Sequence, residues 1–207
     1  MSMREMRRVS AALALGALVA LPACSKNDAG TGDTGMVGTA DTGMAAGMGD
    51  PGLPAGPGAP LTDANIVYVL DQANVMDSAA GSIAASKGTG SEIREYGTQM
   101  MRDHHQLRQQ GQDLAKKLNV TPAPPANDTS QAHFDKTMSM LNGATKGRDF
   151  DKAYIDHEVN AHKAVLEVAT TAMNAAQNAE LKNLIQKAAP LIQAHLDKAQ
   201  AIQGRTQ

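Results

Sequence analysis

Phe150-Asp151-Lys152-Ala153-Tyr154-Ile155-Asp156-His157-Glu158-Val159-Asn160-Ala161-His162-Lys163-Ala164-Val165-Leu166 is the stretch on which the fold turns. Its apolar residues, Phe150, Tyr154, Ile155, Val159, Val165 and Leu166, recur at the period of one helix face and not of a strand. A helix here starts near Asp149, after the breakers Gly143 and Gly147, and runs to a turn around Asn178. Two polar residues interrupt the face. His162 falls in the row Ile155, Val159, His162, Leu166, Ala169, and Glu158 stacks on the same side four residues earlier. An imidazole and a carboxylate where packing calls for hydrocarbon are the informative exceptions.

The same period extends outward in both directions. Thr62 or Asp63 caps a first helix with the stripe Ile66, Val69, Leu70, Ala73, Met76, Ala80, Ile83 and Ala84, which Gly88 and Gly90 stop. Ser91 caps a second, with Ile93, Tyr96, Met100, Leu107, Leu114 and Leu118, ended by Asn119 and Pro122. A Pro-containing loop leads to a short amphipathic piece, about 130–142, carrying Phe134, Met138 and Leu141. Beyond Asn178 a last helix runs through Leu181, Leu184, Ile185, Ala188, Leu191, Ile192, Leu196, Ala199 and Ile202, with a kink expected at Pro190. No segment alternates as a strand does. Two hairpins of long helices joined by one long connection predict an all-α protein, a four-helix bundle with a crossover connection and a short extra helix, over residues 62–203.

Three further polar residues sit in the stripes: Asp77 in Leu70, Ala73, Asp77, Ala80, Ala84; His104 in Ile93, Tyr96, Met100, His104, Leu107; and His195 in Ala188, Leu191, His195, Ala199, Ile202. Counted from its own hairpin turn, each of Asp77, His104, Glu158, His162 and His195 lies about 12–20 residues along its helix. At about 1.5 Å per residue, all five meet near mid-bundle if the hairpins pack in register. Three imidazoles with one or two carboxylates suit a single Zn, Fe, Ni or Cu ion. The same residues also suit a metal-free buried network, in which Asp77 and Glu158 pair with histidines and fix helix register. A mononuclear metalloenzyme would need, in addition, an open coordination position and a substrate cleft. His105 and His157 fall beside the stripes and His133 on the short helix, positions expected at a solvated rim.

Met100-Met101-Arg102-Asp103-His104, the run Phe150 to Lys163, and Pro190-Leu191-Ile192-Gln193-Ala194-His195-Leu196 together resemble a bacterial envelope family, domain-of-unknown-function family 4142. The resemblance covers roughly residues 62 to 203. It implies a ferritin-like fold and carries over His104, His162 and His195, and it implies no established activity. The chain departs from di-iron ferritin-like enzymes, whose signature is Glu-x-x-His on two helices. Met101 and Ile192 stand three residues before His104 and His195, which argues against a dinuclear oxidase or iron store.

The N-terminal part has a different character. Arg4, Arg7 and Arg8 precede an apolar run from Val9 to Leu21, about 13 residues, too short to span a bilayer and suited to a signal-peptide core. It ends in Leu21-Pro22-Ala23-Cys24, which resembles a bacterial lipobox. That resemblance implies a signal peptide at 1–23 and acylation of Cys24, the sole cysteine, which would anchor the chain to a lipid bilayer. Ser25 after the cysteine implies the outer membrane, facing the periplasm. Residues 24–61 read as a Gly-, Met- and Pro-rich tether, with TGDTGM at 31–36 echoed by TADTGM at 39–44. As a flexible chain it would span roughly 30–35 Å. A net charge of −2, no basic run outside the leader and 2% aromatic residues exclude nucleic acid as an expected partner. With one cysteine, no disulfide forms within the chain. The expectation is an envelope-anchored helical lipoprotein, metal-binding or stress-related rather than enzymatic, or else a structural or partner-binding module with a metal-free network.

Overall fold

Helix formers at 3.6-residue period, punctuated by Gly, Asn and Pro, give five helices in the computed structural model, which describes residues 61–206. They are α1 (Asp63–Lys87), α2 (Ser91–Lys117), α3 (Ser130–Gly143), α4 (Arg148–Ala175) and α5 (Ala179–Thr206). The expected signal peptide at 1–23, Cys24 and nearly all of the tether lie outside the described residues. Among the described residues there is no strand, and no helix is long and apolar enough to cross a membrane.

The caps follow from local chemistry. The Thr62 hydroxyl accepts from Asn65 N, and Asn65 returns a bond to the Thr62 amide, a reciprocal capping box. Asn119, at φ 53°, closes α2, with Val120 N reaching back to the Ala115 carbonyl. Ser91 does not cap α2 as expected: Gly90 is the N-cap residue, and no side chain bonds the first turn from there. α5 runs unbroken through Pro190, on its exposed side.

α1 and α2 form one antiparallel hairpin and α4 and α5 the other; α1 packs beside α4 and α2 beside α5. The connection from α2 to α4 climbs the length of the bundle and carries α3 across α1 and α4. It is tied down where Ala123 N bonds the Ala64 carbonyl and the Tyr68 hydroxyl meets Asp128 at 3.0 Å. This is a ferritin-like four-helix bundle with a crossover and a short extra helix.

Two aspartates hold the hairpins in register. Asp151, in the first turn of α4, accepts from Thr89 N, Thr89 Oγ1 and Gly90 N in the α1–α2 turn. Asp63, in the first turn of α1, accepts from Gln177 N and Asn178 N in the α4–α5 turn. Each hairpin's turn is therefore gripped by the other hairpin, at opposite ends of the bundle. Within the first hairpin, α1 and α2 touch backbone to backbone: a Cβ on Gly81 would lie 2.6 Å from the Gly97 carbonyl oxygen, and one on Gly97 2.7 Å from that of Gly81.

The apolar core falls into two clusters. One, toward the α1–α2 turn, includes Tyr96, Met100, Phe150, Tyr154 and Ile202; the other, toward the α4–α5 turn, includes Ile66, Ala115, Ala172 and Leu181. The polar stripe residues lie between them.

Candidate metal centre

His104 on α2, His162 on α4 and His195 on α5 are all buried, and one nitrogen from each lies within 4.8 Å of the others. Their ring centroids form a nearly equilateral triangle, with sides of 5.3, 5.5 and 5.5 Å. Three imidazoles about 2.0–2.1 Å from a common ion would put their centroids roughly 5–5.5 Å apart.

The hydrogen bonds fix which nitrogen faces inward. His104 Nδ1 donates to Asn74 Oδ1 at 2.9 Å, His162 Nδ1 to the Glu158 carbonyl at 2.9 Å, and His195 Nε2 to Asp103 Oδ2 at 3.0 Å. The opposite nitrogens, His104 Nε2, His162 Nε2 and His195 Nδ1, are buried and have no hydrogen-bond partner. Each ring thus spends its proton outward on an oxygen and turns a lone pair toward the other two, as metal-bound histidines do. Burial holds all three pKa values down at about 4, so at neutral pH the rings are uncharged bases.

Asp77 and Glu158 are buried near the same height but do not face the three inward nitrogens. They lie behind the rings, on the Nδ1 side: Asp77 Oδ2 is 3.5 Å from His104 Nδ1, and Glu158 Oε2 is 3.5 Å from His162 Nδ1. With His157 they make a second cluster, again one atom from each within 4.8 Å. The five-residue convergence expected from spacing is therefore two adjacent groups, three histidines on one side and two carboxylates on the other. Burial raises the pKa of both carboxyls. For Glu158 the neighbouring Asp77 adds to the rise, while the Tyr154 hydroxyl, one turn away and directed at the carboxyl, lowers it.

Three residues of this region were not singled out by periodicity. Asp103 orients His195; burial works to raise its pKa, but hydrogen bonds from Arg102 and His195 hold it below the ordinary value. Asn74, one turn before Asp77, orients His104. His157, expected at a solvated rim, instead has its Nε2 buried without a partner and a pKa pushed down to about 4 by burial. His105 is exposed and His133 half-buried, the latter near enough to His157 to help lower its pKa. A cavity of about 70 Å³, walled by Leu70, Leu107, Val165, Leu184 and Ile192, reaches Asn74, Asp77 and His104 from the side of the lower core cluster.

A ferritin-like bundle with a histidine triangle at its middle defines the class. The chain belongs to the domain of unknown function family DUF4142, whose model matches residues 50–202. The bundle is also similar to the crystal structure of a DUF305 fragment from Deinococcus radiodurans, with a TM-score of 0.61 at 10% identity over 72% of this chain and 99% of that one. At that identity the likeness concerns the fold alone. No curated protein matches the chain.

Proposed function

We propose that the helical domain binds a single transition-metal ion through His104, His162 and His195, and that it does so at the cell envelope, held there by lipid on Cys24. The observation that carries the metal is the set of three buried, unpartnered ring nitrogens facing one another. Three mutually facing lone pairs without a donor repel one another and leave three buried acceptors unsatisfied. One cation at their centre removes both costs. Neutral imidazole favours Zn, Cu, Ni or Fe, and three ligands leave a fourth coordination position open. The metal-free network accounts for the outward nitrogens, through Asn74, Asp103 and the Glu158 carbonyl, but leaves the inward ones unexplained. The envelope part rests on the lipobox-like sequence before Cys24.

Elemental analysis of the purified untagged chain tests the site together with thermal melts. One equivalent of metal is expected. Added Zn should stabilise by about 2.7 kcal/mol at a hundredfold excess over the dissociation constant. His162→Ala should abolish that gain, and His105→Ala, on the exposed face of α2, should keep it. Identical wild-type melts in chelator and in excess Zn, Cu, Ni and Fe would sink the proposal.

A further inference from the structure

The geometry points to a second cation site, formed by Asp77, His157 and Glu158 between α1 and α4, that takes a harder divalent ion than the histidine triangle does. It stands independently of the triangle. The ligand atoms of the three residues gather within 4.8 Å, on the far side of the His104 and His162 rings from the inward nitrogens.

Four buried atoms here lack any hydrogen-bond partner: both Glu158 carboxylate oxygens, His157 Nε2 and the Tyr154 hydroxyl oxygen. A fully buried carboxyl with neither oxygen satisfied is rare in a folded protein and calls for a partner. The Tyr154 hydroxyl is the one donor beside it, and it forms no well-aligned bond to either oxygen. Asp77 is itself a carboxyl, and among the described residues neither carboxylate is ion-paired with a Lys or Arg. Two carboxylates without a compensating cation are a costly arrangement, and one divalent ion bridging them with His157 neutralises both and satisfies the orphaned atoms. Tyr154, one turn before Glu158 on α4, adds a phenol oxygen at the edge of the site. A set of two carboxylates and one imidazole is richer in oxygen than the triangle, and that difference favours Mn(II) or Fe(II) where three imidazoles favour Zn or Cu(II). The cavity that reaches Asp77 offers an approach from outside the bundle.

The arrangement is not the di-iron centre of ferritin-like enzymes, because its one histidine is His157, adjacent to Glu158, and not part of a Glu-x-x-His pair. It also gives His157 a role that its place beside the apolar stripe conceals.

Mn(II) is the probe, followed by loss of the free-ion EPR signal on titration with the purified full-length chain. The expected result is one Mn(II) bound per chain, kept in His195→Ala and weakened at least tenfold in Asp77→Asn, Glu158→Gln and His157→Ala. The two carboxamide variants keep the size and shape of the carboxyl, and circular dichroism checks their folding; if one misfolds, the other decides. Absence of Mn(II) binding in the wild type overturns the site. So does Mn(II) that survives Glu158→Gln but is lost in His195→Ala, since that ion would sit in the triangle. Failure of Zn binding with Mn(II) retained refutes the triangle alone, so the two proposals fail separately.

Discussion

Acid should weaken the metal-free protein in a narrow and calculable window. Burial holds His104, His157 and His162 at about 4 against 6.5 for a free ring, and it raises Asp77 and Glu158 above 3.8 and 4.5. The two sets act in opposite senses. A histidine kept neutral by the fold takes its proton on unfolding, so its contribution is complete above about pH 6.5 and is lost as pH falls toward 4. A carboxyl kept protonated by the fold contributes below its unfolded pKa and loses that contribution as pH rises through its folded value. At pH 5.5 these three rings and His195, also held at about 4, gain close to one proton each on unfolding, while the two carboxyls release at most about two. The net uptake is about one to two protons, or roughly 1.4–2.7 kcal/mol per pH unit. A fall from pH 6.5 to 4.5 then removes about 3–5 kcal/mol, a large share of the stability of an ordinary domain. Above pH 6.5 the rings are neutral in both states and their contribution is complete. Urea unfolding in chelator, followed by the helical circular dichroism signal at half-unit steps from pH 4 to 8, should show stability falling as pH drops from about 6.5 toward 4.5. A profile that is flat or rising from pH 6.5 down to 5 would refute the assignment of neutral buried rings.

The helix contact at Gly81 gives a second test. Gly81→Ala drives a Cβ against the Gly97 backbone and should cost about 1–2 kcal/mol after the gain in helix propensity, whereas Gly111→Ala, in open space on α2, should stabilise by about 0.5–1 kcal/mol in the same urea assay. Asp151→Ala leaves the Thr89 and Gly90 amides without their acceptor and should lower stability by about 1–3 kcal/mol. Cys24→Ser should release the protein from the membrane fraction and leave the melting curve of the helical domain unchanged; normal fractionation of that variant would contradict the anchor.

What the sequence made legible was whatever depends on period. Thr62, Gly88, Asn119 and Asn178 mark helix ends because capping is local, and the helices fall within a few residues of where those signals place them. His104, His162 and His195 stand out because each breaks an apolar row, and the fold does bring them together. Rotation of a side chain about its own helix was not legible. Asp77 and Glu158 share the height of the triangle yet lie behind its rings, and His157, one residue from the stripe, turns inward. In α5 the buried row passes through Ile192, while Leu191 is partly exposed, because a hundred degrees per residue leaves two neighbours competing for one face. Partners distant in sequence were also hidden: Asp103 serves a histidine 92 residues away, and Asp63, a natural cap for α1, serves the opposite hairpin. Gly81 and Gly97, which no periodic signal marks, are where the two backbones of the first hairpin meet.

The three inward nitrogens come from α2, α4 and α5, so an ion held among them ties chain positions that close loops of about 58 and 33 residues. Bound only to the folded chain, the ion would stabilise it by mass action, about 4 kcal/mol at a thousandfold excess of free metal over the dissociation constant, on the scale of a disulfide. This protein has no cysteine after Cys24 with which to make one. If it binds metal as proposed, the histidine triangle would be a removable staple across both hairpins: set only after the chain has folded, with a strength that follows the free metal concentration, and undone by a chelator without any redox chemistry.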